Sequence, residues 1–354
     1  MVFTGSRKLL TSLRLSAQWI ATPREASVAD VARHMTAMQA QDFGGAKWSV
    51  GLRSTTVTDT QVECALAAGE IVRSWPARGT LHFVAPEDLG WMLRLTSPRQ
   101  TRVAAGRHRQ LELEESDFAA ARDLALQHLS GGRALTRTDL LALWDSHGIS
   151  TAGLRGAHLL VHLAQTGVIV FGPVAGKQHT FVLLDEWVTN PRLLERDASL
   201  AEWARRYFAS HGPATVRDFA WWASLTLTEA REGLELARAS LEQLEVDGVS
   251  YFHAPGLEPA TPATHLLPGF DEYMLGYQNR GAALDDEHAA SIVPGNNGMF
   301  MPTIVANGRI AGLWKRTVRA KRIDVALEPF GATPKVERAI RRYSAFLETP
   351  VQCD

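Results

Sequence analysis

Apolar residues recur at helical spacing after Ser27, Thr136 and Thr215, and these stretches predict three helices that begin alike. In each case an Asp stands three residues after the Ser or Thr. Ser or Thr followed three residues later by an acid is a helix N-cap signature, here with Asp in place of the usual Glu. A further helix is predicted from Ser6 to Ile20, where Thr22-Pro23 ends it.

Each of the three helices is followed by a second helical pattern, at 62–66, 158–165 and 234–241, and then by two strand-like runs with a tight turn between them. The strand pairs are 71–73 with 80–84, 168–171 with 180–184, and 244–246 with 249–252. Asp247-Gly248 joins the third pair and is a strong hairpin signal. Helices followed by a two-stranded wing are the plan of the winged helix, so we interpret the chain as three divergent tandem copies. Ordinary helix and hairpin units of one mixed domain are the alternative, which leaves the repeated order unexplained.

From about Thr264 the pattern changes to short strands separated by Gly, Pro and Asn. Strands are predicted at 266–267, 274–277, 299–300, 303–305 and 310–314, with Asn307-Gly308 as a type I′ turn and a closing helix over 336–347. The predicted fold class is α+β, with three tandem winged-helix units followed by a small C-terminal antiparallel β domain. The predicted domains are 1–110, 111–195 and 196–260 for the three winged helices and 261–354 for the β domain with its closing helix.

Composition limits the compartment and the partners. The chain has 354 residues, of which 45% are hydrophobic, as in an ordinary globular protein. Arg14 and Gln18 interrupt the N-terminal apolar runs, so neither a signal peptide nor a membrane span is predicted, and we expect a cytoplasmic protein. Cys64 and Cys353 lie far apart, which predicts neither a disulfide framework nor a thiolate metal site.

Charge is balanced overall but not locally. The formal net charge of -1 argues against a protein whose whole surface binds polyanions. One short run without any acid nevertheless contains Lys315, Arg316, Arg319, Lys321 and Arg322. Such a run is more often a solvated face, and it counts as a DNA contact only where other features also point to phosphate.

Two glutamines, Gln39 and Gln41, stand at the end of the helical pattern that follows Ser27. On a regular helix, residues two apart point roughly 200° apart and cannot share a face. They can converge if the helix ends just before them, and Gly44-Gly45 could supply that helix end. Two amides aimed into one cleft could each hold a water or a base edge. The spacing by itself is more typical of one solvent-facing residue and one loop hydrogen-bonder.

Four motifs carry a resemblance that extends over nearly the whole chain. They are Gln39-Ala40-Gln41-Asp42, the run from Ala46 to Arg53, the run from Arg73 to His82, and the run from Leu267 to Tyr273. Together they resemble the AlkZ/YcaQ-type winged-helix DNA glycosylases. The resemblance implies three tandem winged helices with a C-terminal β domain, and the excision of alkylated purines, with interstrand crosslinks as a further substrate of some members.

The same resemblance implies a catalytic pair. Members of the family carry Gln, an apolar residue, and then Gln in the AlkZ-like branch or Asp in the YcaQ-like branch. Gln39-Ala40-Gln41 matches the AlkZ-like branch, because Asp42 lies one position too late. We therefore expect Gln39 and Gln41 to orient a water for the hydrolysis of cationic N7-alkylguanine-type lesions. No lysine is placed as an amine nucleophile, so a monofunctional enzyme without a Schiff base is expected.

The expected partner is double-stranded DNA carrying alkylated purines, bound by a monomer without cofactor or metal, with a nucleoid association in a bacterial cytoplasm. A non-catalytic winged-helix regulator is the alternative. A regulator usually needs symmetric half-sites and a dimer, whereas three unequal copies in one chain provide no such symmetry. A scaffold that binds proteins or a small molecule is a third possibility, which an acidic or neutral cleft would favour.

Further candidates for contact with DNA or substrate surround these motifs. Lys47 and Trp48 follow the glutamines and could contact a phosphate and a base or sugar, although such a Trp is more often core. Arg78, Thr80 and His82 alternate along a strand of the first wing and would share one face, which an ordinary polar-out strand explains equally well.

Other polar positions give weaker evidence of a functional site. Lys177 lies in the predicted turn of the second wing and could touch DNA. No role is assigned to Asp271 and Glu272. His158 and His162 have zinc-protease spacing but lack the Glu between them, so no metal site is predicted.

Overall fold

The computed structural model describes residues 2–176 and 178–353 and shows a chain of mixed α and β structure. It divides into two compact units, one joining the residues up to Glu63 with those from Leu200 onward, the other running from Cys64 to Ser199. The predicted α+β class is confirmed at this level, and the fourfold domain division stays a prediction. Within the described residues, no helix is long and apolar enough to cross a lipid bilayer.

The helices lie throughout the described chain. They are α1 (Arg7–Ala17), α2 (Val28–Met35), α3 (Phe43–Gly51), α4 (Asp59–Ala67), α5 (Pro86–Gln110), α6 (Glu115–Leu129), α7 (Arg137–Ser146), α8 (Arg155–Gln165), α9 (Leu184–Trp187), α10 (Arg196–His211), α11 (Val216–Ala223), α12 (Leu227–Ala237), α13 (Glu272–Leu275), α14 (Ala289–Ile292) and α15 (Glu337–Leu347).

The strands are short and come mostly in pairs. They are β1 (Val2–Thr4), β2 (Ala37–Gln39), β3 (Val72–Ala77), β4 (Thr80–Val84), β5 (Leu135–Thr136), β6 (Ile169–Ala175), β7 (Gln178–Leu183), β8 (Glu242–Val246), β9 (Val249–His253), β10 (Thr264–Leu267), β11 (Thr303–Ala306), β12 (Arg309–Val318), β13 (Ile323–Pro329) and β14 (Val351–Cys353).

The three predicted capping helices are confirmed as α2, α7 and α11. Ser27, Thr136 and Thr215 each accept a hydrogen bond from the backbone N–H of the Asp three residues further on. The second helix of the third copy was predicted at 234–241, and those bounds are wrong. Thr226 and Glu229 form a capping box that starts α12 seven residues earlier, at Leu227, and the helix ends at Ala237.

The three predicted hairpins are confirmed by their pairing. The strands of β3 with β4, β6 with β7, and β8 with β9 are antiparallel. Asp247 and Gly248 both have positive φ, at 51° and 73°, as a type I′ turn requires. In the unit that contains it, β1 adds to the third hairpin by pairing in parallel with β8.

The C-terminal region forms a five-stranded sheet in the order β10-β11-β12-β13-β14. The predicted strands at 266–267, 303–305 and 310–314 are confirmed, as is the closing helix. The strands predicted at 274–277 and 299–300 are wrong. The first overlaps α13, because the Asp271 side chain accepts the backbone N–H of Tyr273 and starts a helix there. The pattern also missed β13, which pairs with β12 along its whole length.

Aromatic packing joins helix α3 to the closing helix, α15. The ring of Trp48 on α3 lies 4.8 Å from that of Tyr343 and 5.1 Å from that of Phe346, both on α15. Gly51 permits this approach, since a Cβ there would lie 2.2 Å from the Phe346 ring. The helix that follows the two glutamines is therefore fixed against the C-terminal region by a close aromatic contact.

Candidate active site

The two glutamines lie on a strand and the bend after it. Helix α2 ends at Met35, and Thr36 takes a positive φ of 69° that reverses the chain direction into β2. The helix therefore ends four residues before Gln39 rather than just before the pair, and the prediction of a helix-end location is wrong. Gly44-Gly45 also do not end a helix, because they lie in the first turn of α3.

Extended backbone changes what the pair can do. In a strand, residues two apart point to the same side, so the separation that a helix would impose on Gln39 and Gln41 does not apply. Gln39 is buried with 7% of its surface exposed, while Gln41 is exposed. The Gln39 side-chain Oε1 accepts the backbone N–H of Gln41 at 3.3 Å. The Gln39 amide is thus hydrogen-bonded to the neighbouring backbone, whereas Gln41 is exposed to solvent.

A buried carboxylate holds the strand. The backbone N–H of Gln39 donates to Glu272 Oε1 at 2.8 Å, and the indole Nε1 of Trp222 donates to Glu272 Oε2 at 2.7 Å. The His211 Nε2 atom lies 3.4 Å from the same Oε2. Glu272 is only 1% exposed. Hydrogen bonds to a buried charge are short and strong, so Glu272 fixes the position of the Gln39 peptide.

The neighbouring acid, Asp271, has its own buried partners. Both of its carboxylate oxygens accept from the Arg53 guanidinium, at 2.9 and 3.0 Å, and Oδ2 also accepts from the Ser49 hydroxyl at 2.5 Å. Arg53 and Asp271 have 0% and 1% of their side chains exposed. The second Arg53 nitrogen, Nη2, also donates to Gln18 Oε1 at 2.8 Å. This network ties the ends of α1 and α3 to the start of α13, whose first residue is Glu272.

Two predicted substrate contacts are instead structural. The Nζ atom of Lys47 lies 2.6 Å from Asp59 Oδ2 and 2.5 Å from Glu63 Oε1, and its side chain is 9% exposed. Trp48 is 1% exposed, and its Nε1 donates to the carbonyl of Leu266 at 2.8 Å. The predictions that these side chains contact a phosphate and a base are therefore corrected. Both point into the protein, where acids and an apolar core engage them.

One arginine of the basic run reaches the glutamine segment. Arg316 donates to the Tyr343 hydroxyl at 2.6 Å, and its Nη2 would lie 2.6 Å from a Cβ added at Gly44. Burial opposes the charged form, but the charges of Tyr343, Asp42 and Asp59 outweigh it and raise the pKa of Arg316. This cation lies beside the first turn of α3, where a larger residue at position 44 would require the end of the Arg316 side chain to shift.

The rest of the basic run faces acids that the linear sequence did not reveal. Lys315 Nζ lies 2.6 Å from Glu328 Oε1, and Arg319 and Arg322 contact opposite oxygens of Asp324 at 3.0 and 2.7 Å. The acids come from β13, which pairs with β12. Lys321 lies in the tight turn between the two strands and is exposed. The run therefore forms the end of a hairpin whose cations are mostly exposed.

The first wing belongs to the other unit. Arg78 lies in the turn with a positive φ of 54° and not on a strand, so the expected alternation with Thr80 and His82 on one face is wrong. Arg78 Nη2 lies 3.0 Å from His82 Nε2, and the other ring nitrogen of His82 lies 2.9 Å from the Thr80 carbonyl oxygen. A role of these three residues with DNA stays a prediction. Lys177 lies outside the described residues.

Metal ligands were not expected, and across residues 2–176 and 178–353 no group of three or more His, Cys, Asp or Glu side chains could hold an ion. His158 and His162 are instead packed with His108, whose ring lies 5.2 and 6.3 Å from theirs. Burial lowers the pKa of each of the three rings. The three rings form a packed cluster.

Sequence reasoning missed the partners of Glu272. Trp222 and His211 lie 50 and 61 residues before it in the chain, and no local pattern joins them to the glutamines. The available signal was Asp271-Glu272 within an otherwise apolar stretch, because adjacent acids rarely become buried unless they are paired.

Comparisons with known proteins identify the family to which the chain is similar. The sequence model of the family described as DNA glycosylase AlkZ-like matches residues 32–346. A relative from Streptomyces sahachiroi, named "Interstrand DNA cross-link repair glycosylase", is 27% identical and aligns over 94% of this chain and 93% of its own. The solved structure of Streptomyces sahachiroi DNA glycosylase AlkZ superposes with a TM-score of 0.84 at 23% identity, over 99% of this chain and 100% of that one.

The family model covers most of the chain, including the glutamine motif and the Asp271-Glu272 pair near it. The predicted resemblance and the predicted enzyme class are confirmed, and the non-catalytic regulator is not adopted. The chain belongs to the AlkZ-like DNA glycosylase family and is a DNA-binding hydrolase of N-glycosyl bonds.

Proposed function

We propose that this glycosylase removes cationic N-alkylated purines, of the N7-alkylguanine type, with a water that Gln39 and Gln41 position. Hydrolysis of an N-glycosidic bond passes through an oxocarbenium-like sugar, and its barrier depends on the leaving base and on the placing of the water. A cationic purine leaves as a neutral base and needs no proton. A glutamine accepts and donates hydrogen bonds but is a poor base, which suits this reaction.

The observation that carries the proposal is the anchoring of Gln39 by Glu272. The Gln39 backbone N–H donates to the buried Glu272 carboxylate at 2.8 Å, which fixes the segment from the protein interior. Gln41, in contrast, is exposed to solvent. Water positioning needs a rigid support, since a misplacement of about 1 Å can cost a large part of the rate. The negative charge of Glu272 also favours positive charge developing on a nearby sugar.

A Schiff base is not part of the proposed mechanism. Lys47 is the lysine nearest to the glutamines in sequence, and its ammonium group lies between two carboxylates at 2.6 and 2.5 Å. An amine nucleophile must lose its proton, and two adjacent negative charges favour the charged form. Direct attack of water on C1′ therefore completes the reaction in one step. The bond from C1′ to the base nitrogen breaks and its electrons neutralise the cationic purine, the sugar keeps the hydroxyl as an abasic site, and one proton of the water passes to solvent.

We further propose that DNA is bound through its backbone by three divergent winged-helix units and by the C-terminal β region. The three capped helices with their hairpins support this interpretation. The exposed cations at the β12–β13 hairpin, Lys315, Arg319, Lys321 and Arg322, are proposed phosphate contacts, with Arg78, Thr80, His82 and Lys177 as further candidates. A monomer acting on double-stranded DNA, without cofactor and at the bacterial nucleoid, is expected.

The name of the Streptomyces sahachiroi relative makes interstrand crosslinks the second substrate class to test. A crosslink through two N7-alkylated guanines carries the same cationic leaving group at each end. The chemistry that releases a single adduct would therefore also unhook such a crosslink.

Three duplexes test the proposal: one with N7-methylguanine, one with the neutral lesion 8-oxoguanine, and one with a nitrogen-mustard crosslink. Abasic sites are measured by alkaline cleavage under single-turnover conditions. We expect release from the first and third duplexes and none from the second. Release of 8-oxoguanine as fast as N7-methylguanine would contradict the leaving-group argument.

A further inference from the structure

A cavity lies beside the second half of α3. It has a volume of about 410 Å³ and lies within one unit of the chain. Its walls come from the chain after α1, the end of α3, the segment 54–58, strand β10 and helix α15. None of the residues assigned above to the glycosylase reaction lines it.

Two arginines of α15 line this cavity, Arg338 and Arg342, one helical turn apart. Arg342 donates to the backbone carbonyls of Ile20 and Leu52. In the part of the chain that the structure describes, neither arginine has a carboxylate partner, and no Asp or Glu lines the cavity. Like charges four residues apart on a helix repel each other, so the pair is held together without a neutralising group.

A buried histidine faces the same space. His265 on β10 is 7% exposed and lines the cavity, and its Nε2 has no hydrogen-bond partner among the described residues. Burial, together with the charges of Arg342 and Arg338, lowers the pKa of His265 to about 4. The ring is therefore neutral at physiological pH, and a buried ring nitrogen without a partner is costly unless something fills its place.

Part of the cavity wall is apolar. Trp48, Leu52 and Phe346 contribute to it, together with the buried Leu266. A ligand that fills this cavity must therefore combine a hydrophobic part with an anionic end. Two arginine guanidinium groups match the two charges of a phosphate monoester better than the single charge of a carboxylate, and their fork geometry suits phosphate oxygens.

We propose that this cavity is a binding site for a small phosphate monoester that carries an aromatic or apolar group. Arg338 and Arg342 would bind the phosphate, and His265 Nε2 would hydrogen-bond to it. The apolar group would pack against Trp48 and Phe346. The site does not depend on the proposed substrate or water-positioning mechanism, because it is built from other side chains.

The cavity shares one element with the candidate active site. Helix α3 begins directly after Gln41-Asp42 and contributes Trp48 to the cavity wall. A molecule bound there would pack against the helix that follows the glutamines.

Phenyl phosphate is the probe, compared with inorganic phosphate and with phenol, on the full chain. Binding is measured by calorimetry and by the rise in Tm that any ligand of the folded state produces. We expect phenyl phosphate to bind more tightly than either fragment. Arg338→Gln should weaken it about tenfold, the effect of losing one charge-assisted contact. Arg338 is exposed, and its side chain makes no hydrogen bond or ion pair with the described residues, so this variant should fold.

Arg341→Gln is the matched control, since Arg341 lies on the same helix, is exposed and does not line the cavity. It should bind phenyl phosphate like the unaltered chain. His265→Phe, which removes the ring nitrogen, should also weaken binding.

Three outcomes would overturn the proposal. One is no binding of phenyl phosphate at millimolar concentration. Another is equal loss of binding in Arg338→Gln and Arg341→Gln, which would indicate general electrostatics. The third is displacement of phenyl phosphate by an undamaged duplex with the same dependence on Arg338, which would assign the cavity to a DNA backbone phosphate instead of a small molecule.

Discussion

The glutamine segment and the basic hairpin of β12 and β13, which we propose for water positioning and for phosphate contact, are held in opposite ways. The glutamine segment is supported from inside by Glu272, which is 1% exposed, and through it by Trp222. The cations of the hairpin lie at the surface. Arg319 and Arg322 are 61% and 52% exposed, and both form ion pairs with Asp324.

The difference follows from the two tasks. A positioned water tolerates little displacement, so the group that holds it needs buried, charge-assisted hydrogen bonds. A phosphate contact needs charge that can leave one partner for another, and exposed ion pairs contribute little free energy and exchange easily. The acids on β13 keep the hairpin cations in place without binding them firmly. Four substitutions can break or sharpen this contrast.

Breaking the buried ion pair should have the largest effect. Arg53→Gln leaves Asp271 buried without its cation, and removing one partner of a buried pair costs about 3 to 5 kcal/mol of unfolding free energy. Urea denaturation measures it. Arg319→Gln is the matched control, because it removes an arginine from an aspartate on the exposed hairpin and should change stability little. Equal losses in the two variants would contradict the contrast between the regions.

Removing the exposed glutamine should affect chemistry rather than folding. In Gln41→Ala, the water loses one of its two proposed holders, and we expect the single-turnover rate on N7-methylguanine to fall about 10²- to 10³-fold with stability unchanged. Gln127→Ala, which truncates an exposed glutamine elsewhere in the chain, should retain the full rate. Full activity of Gln41→Ala would remove the basis for the proposed mechanism.

Replacing Glu272, the carboxylate that accepts a hydrogen bond from β2, is expected to have an intermediate effect. In Glu272→Gln, one end of the side chain becomes an amide donor, so either Gln39 N–H or Trp222 Nε1 faces another donor. This should cost about 1 to 3 kcal/mol of stability. We also expect kcat to fall with KM little changed, since Glu272 positions the glutamine and does not touch DNA.

Trp222→Phe removes one of the two donors and provides the control for that substitution. In the Trp222→Phe background, Glu272→Gln should cost at least about 1 kcal/mol less than in the unaltered chain. Additive effects of the two substitutions would show that the indole hydrogen bond does not couple to the carboxylate.

The hairpin should give the smallest effect. Lys321→Gln removes one proposed phosphate contact, so affinity for undamaged duplex should weaken modestly, and the slope of log K against log salt should decrease by about 0.9. Fluorescence anisotropy across a salt series measures both. Lys335→Gln, an exposed lysine outside the hairpin, is the control. A slope unchanged in both variants would place the hairpin outside the DNA contact.

Elements that depend only on neighbouring residues could be predicted from local patterns. The N-caps at Ser27, Thr136 and Thr215 and the Asp247-Gly248 turn are confirmed, because a cap or a tight turn is decided within about four residues. The same reasoning failed at 274–277. There a buried apolar run has the composition of a strand, but the cap at Asp271 makes it helical.

The sequence by itself determined the family, through the glutamine motif, and the order of capped helices and hairpins. Only the tertiary structure decided how the motif is supported. Gln39 and Glu272 meet across 233 residues, and Lys47 is engaged by acids that its own sequence neighbourhood does not contain. Likewise, the charge of the basic run is offset by acids on the next strand. Local composition cannot reveal such contacts, because burial and ion pairing depend on which distant surfaces the folded chain brings together.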